Sequence, residues 1–115
     1  MSHTFEVEDA KKYGVNAAVI LANIRFWIAK NKANKRHEYN GKTWTYNSVK
    51  AFCELFPYLS SKQIRTAIRK LVDAGEVGEG NHNKSGYDRT KWYCLLSEIH
   101  LTEKANPFAP EGEPI

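Results

Sequence analysis

The stretch from Thr45 to Gly75 constrains this 115-residue chain most, because it contains two short helical patterns separated by a Pro-containing turn. In the second pattern, Ser60 and Gln63 have the Ser-x-x-Gln spacing of a capping box, in which each side chain accepts a hydrogen bond from the other residue's backbone N–H. Gly75 stands where a left-handed residue commonly ends a helix. The sequence therefore predicts a helix over 61–74, with one apolar face formed by Ile64, Ala67, Ile68, Leu71 and Val72.

The opposite face of this predicted helix is basic. Its only acid is Asp73, and its other residues are Lys62, Arg65, Thr66, Arg69 and Lys70. A capped helix with an apolar back and a basic front fits a recognition helix in the major groove of DNA. A surface helix with a solvated basic face is the alternative, and the helix by itself does not separate the two interpretations.

The first helical pattern precedes the capped helix by one turn. Asn47 or Thr45 is predicted to cap a helix that runs through Phe56, and Pro57 cannot continue it. The residues expected to face inward are Val49, Phe52, Cys53 and Phe56. Two helices joined by such a turn have about the dimensions of a helix-turn-helix.

After Gly75 the apolar pattern changes from the period of a helix to that of a strand. Residues 76–80 form a weak strand pattern, and residues 91–96 form a strong one with aromatic residues that favour sheets. The polar segment between them, NHNKSGYDRT, carries Lys84 and Arg89. Helix, helix, strand, basic loop and strand follow one another as in a winged helix-turn-helix. The predicted fold is therefore mainly α with a small β-hairpin wing.

The N-terminal half is predicted to contain a short helix over 5–13, interrupted by Gly14, and a long helix over 17–33 capped by Asn16. Apolar residues lie on two sides of the long helix, so it either packs within the chain, which we favour, or forms the seam of a homodimer. Asn40-Gly41 predicts a tight hairpin. The residues expected to be buried together are Trp27, Phe52, Ile64, Ile68, Leu71 and Trp92.

The charge of the chain is unevenly distributed. The net charge is +4, but residues 11–102 contain 16 Lys and Arg against 7 Asp and Glu, a balance of +9. Such an excess suggests a polyanionic partner. The predicted DNA-binding residues are Lys62, Arg65, Thr66, Arg69, Lys70, Lys84, Arg89 and Lys91. For Arg89, an ion pair with the neighbouring Asp88 is the alternative.

Other kinds of chemistry find little support in the sequence. The four histidines are scattered and neither cysteine has a second one nearby, so we expect no metal and no other cofactor. Cys53 and Cys94 are expected to be buried thiols in a reducing cytoplasm, without a disulfide between them. We see neither a membrane-spanning run nor a secretory signal, and we expect no catalytic activity.

A family resemblance extends this interpretation over most of residues 14–97. The segments that carry it are Phe56–Ser60, Gln63–Arg65, Leu71–Gly75 and Tyr87–Tyr93. They resemble the winged-helix domains at the N-termini of phage and mobile-element replication proteins, a group that includes the DnaD-type replisome organisers of bacteria. The resemblance implies double-stranded DNA binding in replication initiation or replisome loading for a phage, prophage or plasmid.

Proteins of that group usually carry a second domain that recruits helicase machinery, and we expect no second domain within these 115 residues. The resemblance thus leaves open whether the chain is part of a longer protein that meets replisome proteins through a C-terminal domain. We divide the chain into a winged-helix domain over 1–100 and a flexible, Pro-rich tail or linker over 101–115. Two other functions stay open: a transcriptional regulator on the same fold, and a protein-interaction or oligomerisation domain.

Overall fold

The computed structural model describes residues 2–96, and the segment predicted as a tail, 101–115, lies outside the described residues. Helices dominate the described part, and two small antiparallel sheets complete it. The helices are α1 (Val7–Tyr13), α2 (Val15–Ala33), α3 (Val49–Leu55) and α4 (Ser61–Asp73). The strands are β1 (Glu38–Tyr39), β2 (Lys42–Thr43), β3 (Thr45–Asn47), β4 (Val77–Gly80) and β5 (Lys91–Leu95).

The junction between α1 and α2 is a single glycine. Gly14 has a φ of +88°, a left-handed conformation that side chains other than glycine rarely adopt. The predicted interruption at Gly14 is therefore confirmed. The predicted cap at Asn16 is wrong, because Gly14 itself precedes the first helical residue, Val15, and makes no side-chain cap. Over residues 2–96, none of the helices combines the length and the apolar character that crossing a membrane requires.

The two helices after the first sheet are capped by serines. The capping box of α4 is confirmed: Ser60 Oγ accepts from the backbone N–H of Gln63 at 3.1 Å, and Gln63 Oε1 accepts from that of Ser60 at 2.8 Å. The predicted cap of α3 at Asn47 or Thr45 is wrong, because both residues belong to β3. Ser48 caps α3 instead, accepting from a backbone N–H at 3.0 Å.

The hairpin predicted for the region after Gly75 forms part of a three-stranded sheet. Strands β4 and β5 pair in antiparallel fashion, as predicted, and β3 pairs with the other edge of β5 to give the order β3-β5-β4. Strands β1 and β2 form a separate hairpin across Asn40 and Gly41, which both have positive φ, at 55° and 77°. Positive φ at both positions is typical of a type I′ turn and confirms the predicted hairpin.

The main hydrophobic core lies where α2, α3 and α4 pack against one face of the three-stranded sheet. The expected burial of four residues in it is confirmed: Phe52, Ile64, Ile68 and Leu71. The expected burial of Trp27 is wrong, because this side chain is 37% exposed on the outer side of α2. Trp92 is buried, but in a second cluster on the opposite face of the sheet.

This second cluster consists of Trp44, Trp92 and Cys94, and the β1–β2 hairpin covers it. Tyr39 of β1 stands edge-on to Trp92, with 5.8 Å between the ring centroids. Gly80 lies directly under Trp44, and a Cβ atom at this position would come within 2.9 Å of the indole ring. Contact with the sheet thus supplies the packing that so short a hairpin needs.

A polar network joins α1, α2 and the corner between α4 and β4. Asp9 is buried and forms an ion pair with Arg25, whose guanidinium also lies 3.7 Å from a carboxylate oxygen of Glu76. The Tyr13 hydroxyl donates to the other carboxylate oxygen of Glu76 at 3.0 Å. Burial, followed by this hydrogen bond, raises the pKa of Tyr13 above its ordinary value.

Replacing Gly75 with alanine should lower the free energy of unfolding by about 1–2 kcal/mol, because Gly75 has a φ of +78° after the end of α4. No atom lies within 4 Å of the added Cβ, so backbone strain alone would cause the loss. Urea denaturation measures it. Gly86→Ala is the matched control, because Gly86 is equally open and its φ lies outside the positive range. Equal stability of the two variants would contradict the prediction.

Candidate nucleic-acid interface

Helix α4 presents a continuous basic surface because its apolar residues are used in the core. Ile64, Ala67, Ile68 and Leu71 are buried, whereas the predicted contact residues on this helix are all exposed: Lys62, Arg65, Thr66, Arg69 and Lys70. Lys62, Thr66 and Arg69 are spaced i, i+4 and i+7, so they follow one line along the exposed face. The helix can therefore offer several hydrogen-bond donors to a single partner.

The two arginines of this face differ in their surroundings. Arg69 lies 3.9 Å from Asp73 one turn later, and the two side chains are 67% and 68% exposed. Ion pairs this exposed contribute little free energy, so a stronger anion can displace Asp73. Arg65 makes no ion pair with any residue of the described part of the chain.

Lys70 points to one side of this surface. Its ammonium group donates to the backbone carbonyl of Tyr13 at 3.1 Å, which ties α4 to the end of α1. Lys70 then lines a groove of about 350 Å³ together with Lys62, Thr66 and the first residues of α2. Lys70 therefore lies beside Lys62 and Thr66, but its ammonium group is already engaged by the Tyr13 carbonyl.

The loop between β4 and β5, residues 81–90, is held by Asn83, which the sequence analysis did not single out. Its amide donates to the carbonyls of Asp88 and Thr90 at 3.0 and 2.8 Å, and its carbonyl accepts from the indole N–H of Trp92 at 2.7 Å. An Asn three residues after a strand carries no distinctive signal, so the sequence did not reveal this role.

Two of the predicted contact residues in this loop, Lys84 and Arg89, are exposed to solvent. The alternative ion pair between Asp88 and Arg89 does not form within residues 2–96. Asp88 accepts instead from the backbone N–H of Thr90 at 2.9 Å, and hydrogen bonding by Thr90 lowers the pKa of the Asp88 carboxyl. The Asp88 carboxylate is thereby engaged inside the loop, and Arg89 remains available.

Lys91 differs from the other cations of the hairpin. Its ammonium group lies 3.6 Å from a carboxylate oxygen of Glu79 on the neighbouring strand, so part of its charge is offset within the sheet. All eight predicted residues are therefore exposed. Within the described residues, only Arg69 and Lys91 among them lie near a carboxylate, and the Glu79 carboxylate beside Lys91 is less exposed than the Asp73 carboxylate beside Arg69.

Within residues 2–96, no three His, Cys, Asp or Glu side chains come close enough together to hold a metal ion. The two cysteines of this region lie apart as thiols, with Cys94 buried and Cys53 partly buried.

Comparison with known proteins gives one informative result. No protein-family model matches the sequence, and no curated protein matches it either. Among solved structures, the chain is similar to one described as the N-terminal domain of a DNA binding protein, with a TM-score of 0.61 and 14% sequence identity. The match covers 99% of this chain and 90% of the other. At this identity the similarity concerns the fold alone.

Proposed function

We propose that the protein binds double-stranded DNA as a winged helix-turn-helix, with α3 and α4 as the helix pair and the β4–β5 hairpin as the wing. The observation that carries the proposal is the division of α4 into a buried apolar face and an exposed basic face. Strand β4 packs against α4, so the base of the hairpin lies next to the proposed recognition helix. A helix of these dimensions fits the major groove, which is about 12 Å wide.

We propose further that this DNA binding serves replication initiation or replisome loading for a phage, prophage or plasmid, in the cytoplasm and without catalysis by this chain. The support is the resemblance described for Phe56–Ser60 and Tyr87–Tyr93, together with the similarity to a domain whose description names a DNA binding protein. Contacts with replisome proteins through a further domain belong to the same proposal. A transcriptional regulator on this fold would instead require tight preference for one operator.

A homodimer through α2 is a second candidate, because the outer side of this helix exposes two neighbouring aromatic residues. Phe26 is 59% exposed and Trp27 is 37% exposed, and their rings meet edge-on at 5.4 Å. Sedimentation velocity over a range of concentrations tests this candidate. A dimer that Phe26→Lys converts to a monomer would support it.

DNA binding is tested by titrating a fluorescent duplex with the protein at several salt concentrations. The affinity should fall as salt rises, because each neutralised phosphate releases counterions. Lys84→Ala should reduce the slope of log affinity against log salt by about 0.9 without changing sequence preference. Lys32→Ala on α2 removes the same charge and should leave the slope unchanged. Binding that does not depend on salt, or equal slopes for both variants, would contradict the proposal.

A further inference from the structure

A groove lies at the C-terminal end of α2, between that helix, β3 and α3. It has a volume of about 570 Å³, within the range of ligand-binding sites. Its lining includes Trp27, Arg36, His37, Tyr46, Asn47 and Glu54. Neither α4 nor the loop 81–90 contributes to this lining, so the groove is separate from the proposed duplex-binding surface.

Two aromatic side chains form the walls of this groove and remain open to solvent. Trp27 is 37% exposed, and Tyr46 is 47% exposed. Tyr46 is held in place, because its ring lies 4.6 Å from that of Trp92 and 5.4 Å from that of His37. The Lys30 ammonium lies 5.2 Å from the Trp27 ring centroid, which places a cation at the rim. Flat, exposed rings of this kind are suited to stacking against another planar group.

The polar groups of the groove can supply hydrogen bonds to the edge of such a planar group. The Asn47 amide and the Glu54 carboxylate offer both donors and acceptors, and Arg36 supplies a guanidinium. Burial, and then the nearby Arg36 charge, lower the pKa of His37, which favours its uncharged form. Asn31, which also lines the groove, already donates to the Trp44 carbonyl at 2.9 Å and therefore serves the fold.

The chain around the groove is strongly basic. Residues 30–55 contain six Lys and Arg and two acids, Glu38 and Glu54, of which Glu54 lines the groove. Not one of these six cations forms an ion pair with another residue of the described part of the chain. On α4 and β5, by contrast, Arg69 and Lys91 each have a carboxylate within 4.0 Å. A basic surface without internal partners favours an anionic ligand.

We propose that this groove binds single-stranded DNA, with one or two unpaired bases stacked on Trp27 and Tyr46 and the adjoining phosphates held by Arg36 and Lys30. The inference rests on the proposed function and deepens it, since it assigns a second DNA-binding site to the same chain. A duplex cannot use this site, because its bases are stacked inside the helix. Rings for stacking, polar groups for base edges and cations for phosphates occur together here, which is the combination that binding of a single strand uses.

The test compares a fluorescent single strand of twelve thymidines with a fluorescent duplex, using anisotropy titrations of the full chain. Trp27→Ala should weaken single-strand binding by roughly 5- to 150-fold, the effect of losing one stacked base. Trp27→Phe, which keeps a ring, should retain most of the affinity. Phe26→Ala is the matched control, because Phe26 is an exposed aromatic residue on the same helix that does not line the groove. Duplex affinity should be unchanged in all three variants.

Four outcomes would overturn the inference. The first three are that the parent protein fails to bind the single strand, that a folded Trp27→Ala variant binds it like the parent, and that this variant loses the same affinity for the single strand and for the duplex. The fourth outcome is displacement of the single strand by an acidic, aromatic peptide at a lower concentration than by the unlabelled thymidine strand. The last outcome would assign the groove to a protein partner. Circular dichroism shows whether each variant is folded. Single-strand binding that depends on Trp27, without any duplex binding, would support this inference and refute the proposed function, so the two can fail separately.

Discussion

Replacing Arg25 with methionine is expected to lower the free energy of unfolding by about 3–5 kcal/mol. Arg25 is the partner of Asp9, whose side chain is only 8% exposed, and it also lies 3.7 Å from Glu76. Methionine keeps most of the volume of the arginine stem but removes the charge. A buried carboxylate left without its counter-charge is costly, because it has lost both its hydration and its partner.

The Arg25 prediction is checked by urea denaturation of four proteins that form a double-mutant cycle. Adding Asp9→Asn to Arg25→Met should recover part of the loss, because the orphaned charge is then gone. Lys11→Met serves as the surface control. Lys11 pairs with Glu8 at 3.6 Å, but these side chains are 69% and 71% exposed, so its removal should cost less than about 1 kcal/mol. Equal losses for Arg25→Met and Lys11→Met would show that the network does not hold α1 in place.

Helix α4 was predictable because all of its signals are local. The capping box spans Ser60 to Gln63, the apolar stripe repeats within the helix, and Gly75 follows directly. The same applies to the hairpin at Asn40-Gly41, where two adjacent residues adopt positive φ. In both cases the residues that determine the structure lie within a few positions of one another.

Strand β3 could not be predicted in this way, because its partner is distant in sequence. Its three residues pair with β5 in the register Thr45–Tyr93, Tyr46–Trp92 and Asn47–Lys91. Three residues are too few to show a strand period. Thr45 and Asn47 also have side chains that favour helix caps, and this preference led to the wrong cap for α3.

The expected burial of Trp27 was wrong, and Trp92 is buried in a different cluster from the one expected, because two faces of the fold are apolar. Successive residues of β5 alternate, so Tyr93 and Leu95 enter the main core, whereas Trp92 and Cys94 face the β1–β2 hairpin. Trp27 lies on the outer side of a helix that is apolar on two sides. The sequence shows that both sides are apolar, but it does not show which one the rest of the chain covers.

The candidate interface follows the same division between local and distant determinants. The exposure of Arg65 and Arg69 follows from the helical period. The diversion of Lys70 to the Tyr13 carbonyl depends on a residue 57 positions away, and this contact has no sequence signature. The groove beside Trp27 likewise gathers residues from α2, β3 and α3, so its aromatic walls become apparent only in the folded chain.

The double variant Arg65→Ala/Arg69→Ala is expected to lose most of the sequence-dependent binding to duplex DNA. The two side chains are one turn apart on the exposed face of α4, and a guanidinium can donate to two guanine acceptors at once. Each such contact contributes about 1–3 kcal/mol of discrimination against the wrong base. The loss should therefore reach about 30-fold or more on a preferred duplex, with a smaller loss on random duplexes.

The affinity of each variant is measured for a duplex that the parent protein has selected from a randomised pool, and for the unselected pool. Lys30→Ala/Lys32→Ala is the matched control, since it removes two cations from the last turn of α2, outside the proposed duplex surface. If the Arg65/Arg69 variant stays folded and binds both pools like the parent, the basic face of α4 is not the recognition surface. The exposed aromatic side of α2, and the homodimer proposed through it, would then become the leading candidate for the interface of this protein.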